Sequence, residues 1–200
     1  MYNLQKNNYN LKPKNSTIAT PPEVSQFIFE LLRDKFPIKK GYPILDPCCG
    51  AGNLLKPWLK KGYPTYGIDI ENNSSAVLRK DFLKWDGIDV FHYQVKPRLI
   101  LCNPPFNGYG KKLGSEVWLD KIIELFGKWV PIVLFVPVGF CLNLTLKSER
   151  YLKFVNGAYP PIASRITLPK NIFPGVVFHS EILIFNIPNL QPHYFLPKSG

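Results

Sequence analysis

Residues 99–106 have the sequence LILCNPPF, and this segment is the strongest indication of the fold. Its first four residues form a short run that is apolar throughout, which is typical of a strand buried on both faces of a parallel sheet. An amide, two prolines and an aromatic ring follow, and ligands of open α/β sheets bind outside the carboxyl ends of such strands. The stretch therefore predicts an α/β fold with a functional site at residues 103–106.

The residues of this site suit the chemistry of a planar amino group. Asn103 offers a carbonyl acceptor, and Pro104, held rigid by its own ring and by Pro105, can place a second carbonyl beside it. Two acceptors that hold the hydrogens of an aromatic amine favour a pyramidal nitrogen and release its lone pair for attack. Phe106 supplies a flat face on which a base can stack once it has left a helix. We predict Asn103, Pro104, Pro105 and Phe106 as catalytic residues that need no strong general base.

The composition indicates one globular domain with an anionic partner. The chain has 200 residues, 46% of them hydrophobic, and a formal net charge of +11 at pH 7. This charge favours a polyanion such as nucleic acid, and a solvated basic surface is the alternative. We expect a single domain over residues 1–200, with a flexible basic arm at 1–15 and a loosely packed tail at 187–200.

The cysteines and the N-terminus bear on the cellular compartment. Cys48, Cys49, Cys102 and Cys141 show none of the spacings that bind zinc, so we predict reduced structural thiols and no metal site. The apolar runs are too short to span a membrane, and the polar, asparagine-rich N-terminus is unlike a signal peptide. These observations favour a cytoplasmic protein without a membrane partner.

A strand predicted at Tyr42–Asp46 ends in an acid and leads into a loop of small residues. This loop, residues 47–53 with the sequence PCCGAGN, lets the backbone approach a ligand closely. The next strand, residues 64–68, is followed by Asp69, about twenty residues beyond Asp46, the separation expected for an acid that binds ribose hydroxyls. An acid before the glycines suits a cationic amino-acid group and would repel a pyrophosphate.

Three further segments are candidates for ligand contacts. Asp81 and Phe82 pair an acceptor with a ring and could hold an adenine, and a surface carboxylate beside a core ring is the alternative. Residues 107–114, NGYGKKLG, predict a mobile basic loop that closes over substrate or touches phosphate. A basic cluster that could contact phosphate comprises Lys147, Arg150 and Lys153.

The remaining helices and strands follow from hydrophobic periodicity and capping residues. The predicted helices start after Thr20 as N-cap, cover residues 54–61, run from Ser115 as cap to Trp129, and cover Ser148–Phe154. The later strands are Ile132–Val136, Arg165–Leu168 and Glu181–Phe185, the last two as an antiparallel pair. The segment after Asp69 is too short for a crossover helix, so either that helix is lost or the strand after it is rudimentary.

Together these motifs resemble those of the N6-adenine DNA methyltransferases that use S-adenosylmethionine. The resemblance is to the gamma-type order, in which the cofactor motifs precede the catalytic one. The matching segments are TPPEV at 20–24, DPCCGAG at 46–52, Asp69, Asp81-Phe82 and NPPF at 103–106. The resemblance implies a Rossmann-like class I methyltransferase fold, with a mostly parallel sheet, a C-terminal antiparallel strand pair and helices on both faces.

The resemblance also implies S-adenosylmethionine as cofactor and a role for each matched position. Asp46 would bind the methionine ammonium, Thr20 its carboxylate region and Asp69 the ribose. Asn103 and the Pro104 carbonyl would grip the amine of a flipped adenine. The set predicted to bind the cofactor is Thr20, Asp46, Cys48, Gly50, Gly52, Asn53, Asp69, Asp81, Phe82 and Asn103. The set predicted to contact nucleic acid is Phe106, Tyr109, Lys111, Lys112, Lys147 and Arg150.

Several substrates remain open at this point. Similar Asn-Pro-Pro-aromatic turns occur in RNA methyltransferases acting on adenine or guanine amines, and in enzymes that methylate a glutamine amide in protein. The basic charge favours nucleic acid, and the TPPEV segment favours DNA over RNA. A non-catalytic accessory subunit that keeps the fold is the alternative from another class. We expect no separate target-recognition domain, which leaves a relaxed site, a specificity subunit or the cognate nuclease of a restriction-modification system.

Overall fold

The structure, a computed structural model, describes residues 18–39, 41–71, 78–87, 96–106, 109–110, 112–142, 144–173 and 179–197. The α-helices in these ranges are α1 (Pro22–Lys35), α2 (Lys56–Lys60), α3 (Gly114–Phe126), α4 (Gly139–Leu142) and α5 (Glu149–Val155). The strands are β1 (Ile44–Asp46), β2 (Thr65–Asp69), β3 (Leu78–Arg79), β4 (Leu99–Cys102), β5 (Ile132–Pro137), β6 (Ile162–Thr167), β7 (Ser180–Phe185) and β8 (His193–Phe195). A short 3-10 helix covers Phe82–Lys84.

The strands form one sheet in the order β3-β2-β1-β4-β5-β7-β6-β8. Strands β3, β2, β1, β4 and β5 are parallel, and β7 runs antiparallel to both β5 and β6. The predicted α/β fold with a C-terminal antiparallel pair is confirmed. The chain leaves β1 toward β2 and β3 and returns to β4 on the other side, so the strand order reverses between β1 and β4. Ligand crevices of open α/β sheets lie at such a reversal.

Strand β4 shows why its sequence is apolar throughout. Leu99 and Leu101 belong to one buried cluster with residues of α1 and α2, whereas Ile100 and Cys102 belong to another with residues of α3. All four side chains are fully buried. Because successive side chains of a strand point to opposite faces, a strand covered on both sides has no position for a polar residue. The predicted buried strand is confirmed.

Helix α1 begins without the side-chain cap that its sequence predicts. Pro21 is the N-cap residue, Pro22 is the first helical residue, and no side chain bonds to the open amide end. The prediction that Thr20 caps this helix is therefore wrong. Thr20 is buried, and its hydroxyl accepts a hydrogen bond from Asn103 instead. Helix α2, predicted over residues 54–61, is shorter at both ends.

Helix α3 differs from its prediction at both ends. Its N-cap is Leu113, and Ser115 lies inside the helix, where its buried hydroxyl donates to the Phe135 carbonyl of β5 at 3.0 Å. The helix ends at Phe126 because Gly127 leaves helical geometry with φ +84°. Trp129, predicted on the buried side of this helix, is 69% exposed.

The segment after β7 corrects the prediction of a loosely packed tail. Ile187 is 1% exposed, and β8 pairs in parallel with β6 at the edge of the sheet. Strand β3 has two residues, in keeping with the alternative of a rudimentary strand, and residues 72–77 before it lie outside the described part. The predicted basic arm at 1–15 also lies outside the described residues. Among the helices described, none is long and apolar enough to cross a membrane.

Candidate active site

Two carboxylates lie at the carboxyl ends of neighbouring strands β1 and β2. Asp46 is buried and accepts a hydrogen bond from the backbone N–H of Cys48 at 3.2 Å. Burial raises the pKa of Asp46 to about 7, and the nearby charge of Asp69 adds to the rise. Asp69 accepts from the Gly50 N–H at 2.7 Å and from the Glu71 N–H at 2.9 Å. The crevice is therefore electronegative, as the sequence predicts for a cationic ligand.

The glycine loop is tied to β2 through these bonds. Gly50 has φ +48° and Gly52 has φ +71°, conformations that side-chain-bearing residues rarely adopt. Both glycines lie in the predicted cofactor loop, and Gly50 links that loop directly to the Asp69 carboxylate. A carboxylate has about four acceptor sites, so Asp69 can still accept from a hydroxyl of a ligand.

Asn103 follows β4 and reaches back to the segment before α1. Its side-chain Nδ2 donates to the hydroxyl oxygen of Thr20 at 3.0 Å. The carbonyl of Thr20 in turn accepts from Nδ2 of Asn53 at 2.7 Å, and Oδ1 of Asn53 accepts from Nζ of Lys56 at 2.6 Å. Residues from three separate segments thus meet around the Asn103 amide. Thr20, Asn53 and Asn103 were predicted for this site, whereas Lys56 carries no sequence signal for the contact.

The predicted catalytic turn is held by a glycine that sequence analysis did not select. The backbone N–H of Gly114 donates to the Phe106 carbonyl at 3.0 Å. A Cβ atom built on Gly114 would lie 1.7 Å from the carbonyl oxygen of Pro105. Phe106 itself is half-buried and packs against the cluster that contains α1 and α2. The absence of a side chain at the start of α3 therefore sets the position of the turn.

Replacing Gly114 by alanine is expected to lower kcat by about 100-fold, because displacing the turn by about 1 Å misplaces the reacting groups. The melting temperature should fall as well, since overpacking of this kind costs about 1–3 kcal/mol. Gly157→Ala is the control for backbone strain, because Gly157 has φ +70°, its Cβ would meet no atom within 4 Å, and it lies outside the predicted loop. Equal kcat values for both variants, measured with labelled cofactor, would contradict a steric role of Gly114.

Cys48 and Cys102 face each other behind the glycine loop. Their sulfur atoms are 3.7 Å apart, and both residues are thiols. Burial raises the pKa of each thiol. The two side chains therefore stay protonated at neutral pH and fill space, which fits the predicted structural role.

Asp81 and Phe82 take positions that differ from the predicted adenine site. Oδ1 of Asp81 accepts from the Leu83 N–H at 3.1 Å and caps the 3-10 helix. Phe82 is 2% exposed and packs beside Trp85, with ring centroids 6.2 Å apart. The prediction that the Phe82 ring offers a face to the cofactor is wrong for this conformation, because core residues cover it.

The residues predicted to contact nucleic acid divide into two groups. Arg150 is nearly buried, and its guanidinium donates to Glu116 at 2.8 Å and to the Phe140 carbonyl at 2.9 Å. Lys112 pairs with Glu149 at 2.9 Å. The prediction of a phosphate contact is wrong for Arg150, whose donors stabilise the fold, and Lys112 is neutralised by its partner. Lys147 is exposed on the turn before α5, and Lys111 lies outside the described residues.

Tyr109 lies at the edge of the candidate site. Its ring packs edge-on against Trp118 with centroids 5.3 Å apart. Burial raises the pKa of Tyr109 to about 12, and the neighbouring Asp81 and Cys48 add to the rise. These two neighbours place Tyr109 near the glycine loop.

An acidic cluster on α3 and α5 is the group of described carboxylates whose spacing could suit a metal ion. It consists of Glu116, Asp120 and Glu149, with ligand atoms within 4.8 Å of one another. Each carboxylate already faces a cation, because Arg150 pairs with Glu116 and Lys153 pairs with Asp120 at 2.8 Å and with Glu149 at 2.9 Å. The cluster therefore works as an ion-pair network that joins the two helices.

Two curated proteins are similar to this chain in sequence. The type I restriction enzyme MjaVII methylase subunit of Methanocaldococcus jannaschii is 29% identical over 127 residues, which cover 52% of this chain and 21% of that protein. The type II methyltransferase M.VspI of Vibrio sp. is 24% identical over 159 residues, which cover 72% of this chain and 37% of that protein. The chain therefore spans less than half the length of these relatives. No family model matches it.

Solved structures share the fold. The methyltransferase subunit of the type I restriction-modification system from Streptococcus thermophilus superposes with a TM-score of 0.62 at 18% identity. The match covers 89% of this chain and 47% of that one. The chain has the Rossmann-like α/β fold of the class I S-adenosylmethionine-dependent methyltransferases.

Proposed function

We propose that this chain transfers a methyl group from S-adenosylmethionine to the exocyclic N6 amine of adenine in DNA, with its motifs in the gamma-type order. One observation carries the proposal: the amide of Asn103 follows β4 where the strand order reverses, beside β1, which ends in the buried Asp46. The names of the curated relatives, a restriction enzyme methylase subunit and a type II methyltransferase, support methyl transfer in a restriction-modification system.

The residues of the crevice fit the proposed cofactor. S-adenosylmethionine carries an ammonium and a sulfonium, and when bound it supplies a methyl group on an electron-deficient carbon. Asp46 would hold the ammonium, because a cation relieves the cost of a buried carboxylate beside Asp69. Asp69 would accept from the ribose hydroxyls, and the glycines would let the cofactor lie against the backbone. The same pair of acids disfavours a dinucleotide, whose pyrophosphate it would repel.

The catalytic turn performs the remaining work on the target. Oδ1 of Asn103 and the carbonyl of Pro104 accept the two hydrogens of the target amine and draw its lone pair out of conjugation with the ring. Phe106 stacks on the base once it is flipped out of the duplex. The amine nitrogen forms a bond to the methyl carbon while the bond between that carbon and the sulfonium sulfur breaks, which leaves S-adenosylhomocysteine. The nitrogen then loses a proton to solvent, and the carbonyl oxygens of Asn103 and Pro104 stabilise the positive charge that develops there.

The choice of DNA rests on charge and on the relatives. The net charge of +11 favours a nucleic acid over a protein glutamine as substrate. RNA with an adenine or guanine amine is the second candidate, because the turn chemistry is the same for any planar amine. A relaxed recognition site, or a specificity subunit that reads the DNA, would account for target recognition, and a cognate nuclease is a further partner of the proposed system.

Labelled methyl transfer distinguishes these substrates. The protein is incubated with S-adenosylmethionine carrying a labelled methyl group and, in separate reactions, with duplex DNA, RNA or a protein extract. We expect label in N6-methyladenine after digestion of the DNA to nucleosides. Label confined to RNA or to protein glutamine would overturn the proposal, and cofactor binding without transfer to any of the three would favour the accessory-subunit alternative.

Lys147→Ala is expected to weaken DNA binding, whereas Arg150→Ala is expected to lower the stability of the fold. Lys147 is exposed, so its loss should weaken DNA binding across sequences and reduce the slope of log affinity against log salt by about 1, without changing stability. The Arg150–Glu116 pair is buried, and breaking it costs about 3–5 kcal/mol. Arg150→Ala should therefore lower the melting temperature and leave the DNA affinity of the folded fraction unchanged. A loss of stability in Lys147→Ala together with a loss of DNA affinity in Arg150→Ala would contradict these roles.

A further inference from the structure

We infer that Thr20, Asn53 and Lys56 form a positioning relay that holds the Asn103 amide in place with its NH2 end occupied and its Oδ1 toward the substrate. This inference rests on the proposed function, because it concerns the acceptor that holds the target amine. An amide side chain has a carbonyl end and an NH2 end of nearly the same shape. If Asn103 turned its NH2 end to the target, two donors would meet and the amine would not be held.

The relay begins at Lys56 on helix α2. A lysine ammonium can only donate hydrogen bonds, and Nζ of Lys56 is 2.6 Å from Oδ1 of Asn53. The backbone carbonyl of Thr20 can only accept, and it is 2.7 Å from Nδ2 of Asn53. Both neighbours therefore require the same orientation of the Asn53 amide. The two polar ends of Asn53 are both used within the protein, which favours a positioning role over the predicted contact with the cofactor.

The second step passes from Thr20 to the catalytic amide. With its carbonyl held by Asn53, Thr20 places its hydroxyl oxygen 3.0 Å from Nδ2 of Asn103. That hydrogen bond occupies the NH2 end of the Asn103 side chain. Oδ1 is then the end left to accept from the target amine, which is the orientation that the proposed chemistry needs.

The relay also joins parts of the chain that no local structure connects. Thr20 precedes α1, Asn53 and Lys56 belong to the loop and helix after β1, and Asn103 follows β4. Thr20 is only 6% exposed, so water competes weakly for its hydroxyl. A hydrogen bond that is partly shielded from water is stronger than a fully exposed one.

Three variants separate positioning from cofactor binding. Thr20→Val keeps the shape but removes the acceptor. At saturating cofactor and DNA we expect kcat to fall by up to about 100-fold, the loss that a misplacement of a reacting group by about 1 Å can cause. Thr20→Ser keeps the hydroxyl and should recover most of the rate. Asn53→Asp keeps the pair with Lys56 but turns a carboxylate oxygen toward the Thr20 carbonyl, and it should lower kcat in the same way.

Ser25→Ala, in the first turn of α1, is the matched control. The Ser25 hydroxyl is buried and donates to the Pro21 carbonyl at 3.3 Å, away from Asn103. This variant should lose some stability and keep its kcat. An unchanged kcat in Thr20→Val would overturn the inference. So would a loss of rate that higher cofactor concentration cures, because that result assigns Thr20 to cofactor binding alone.

A readout that needs no activity separates this inference from the proposed function. The side-chain NH2 of Asn103, identified in nitrogen-15 NMR spectra by its loss in Asn103→Asp, should exchange slowly with solvent in the wild type and in Thr20→Ser. Exchange should be faster in Thr20→Val. If the wild type methylates no nucleic acid but shows this exchange pattern, the proposed function fails and the hydrogen bond stands. Equal exchange in all three proteins would refute the relay.

Discussion

Asn103→Ala is expected to lower methyl transfer by about 100- to 1000-fold or more, the range for loss of one preorganised electrostatic group at a reacting centre. The variant loses the Oδ1 acceptor, and the Pro104 carbonyl alone cannot hold both hydrogens of the target amine. Cofactor affinity, measured by calorimetry, should stay close to that of the wild type, because the ammonium and ribose contacts are assigned to Asp46 and Asp69. The rate is measured as label incorporated into DNA at saturating cofactor.

The control for this experiment is Asn156→Ala. Asn156 is an exposed asparagine at the end of α5, so its replacement should leave both rate and cofactor affinity unchanged. Full activity of Asn103→Ala would contradict the proposed mechanism. A loss of cofactor binding equal to the loss of rate would instead move Asn103 from the substrate to the cofactor side of the site.

The second large effect is expected at Asp46, whose charge favours cofactor binding but destabilises the ligand-free protein. Asp46→Asn removes the charge proposed to hold the cofactor ammonium, and loss of one partner of a buried charge pair costs about 2–5 kcal/mol, or about 30-fold to several thousand-fold in affinity. Calorimetric titration with S-adenosylmethionine at pH 8 measures this loss. Asp34→Asn, at an exposed carboxylate on α1, is the control.

The pH dependence of binding follows from the same carboxylate. Burial raises the pKa of Asp46 to about 7 in the ligand-free protein. A cationic ligand favours the ionised form, so cofactor affinity should rise with pH through about 7 and weaken below it. In Asp46→Asn this dependence should disappear. Affinity of the wild type that is constant between pH 6 and 8 would argue against Asp46 as the ammonium ligand.

The stability of the ligand-free protein should change in the opposite direction. The folded state binds the Asp46 proton more tightly than the unfolded state, where the pKa is 3.8. Unfolding therefore releases this proton between pH 4 and 7, and the free energy of unfolding falls by roughly 4 kcal/mol as the pH rises across that window. Asp46→Asn should thus melt at a higher temperature than the wild type at pH 8 without cofactor, as scanning calorimetry would show.

The strands that carry the site could be predicted because a strand buried on both faces requires apolar residues. Residues of β4 alternate between two apolar clusters, which requires an apolar residue at every position. The acids that end β1 and β2 and the amide that follows β4 then come together, because carboxyl ends of parallel strands share one edge. The position of the site could therefore be predicted from the order of the strands, without any measured distance between atoms.

Contacts between distant segments could not be predicted in this way. An arginine such as Arg150 is a common phosphate ligand. Its pairing with Glu116 on another helix depends on how α3 and α5 pack. Thr20 has the sequence position of a cap, but the chain directs its hydroxyl to Asn103. The Phe82 ring lies in the core, since the 3-10 helix turns it inward.

The parallel sheet, the acidic crevice and the amide turn beyond β4 could be predicted from the residues alone, because hydrophobic periodicity and strand-end residues are local properties of the chain. The hydrogen bonds and ion pairs between distant polar groups could be identified only from the three-dimensional structure. The Lys56–Asn53–Thr20–Asn103 contacts and the Gly114–Pro105 approach join segments far apart in sequence. Their hydrogen-bonding and steric energies depend on distances of a few ångströms, which are fixed only when the helices pack on the sheet.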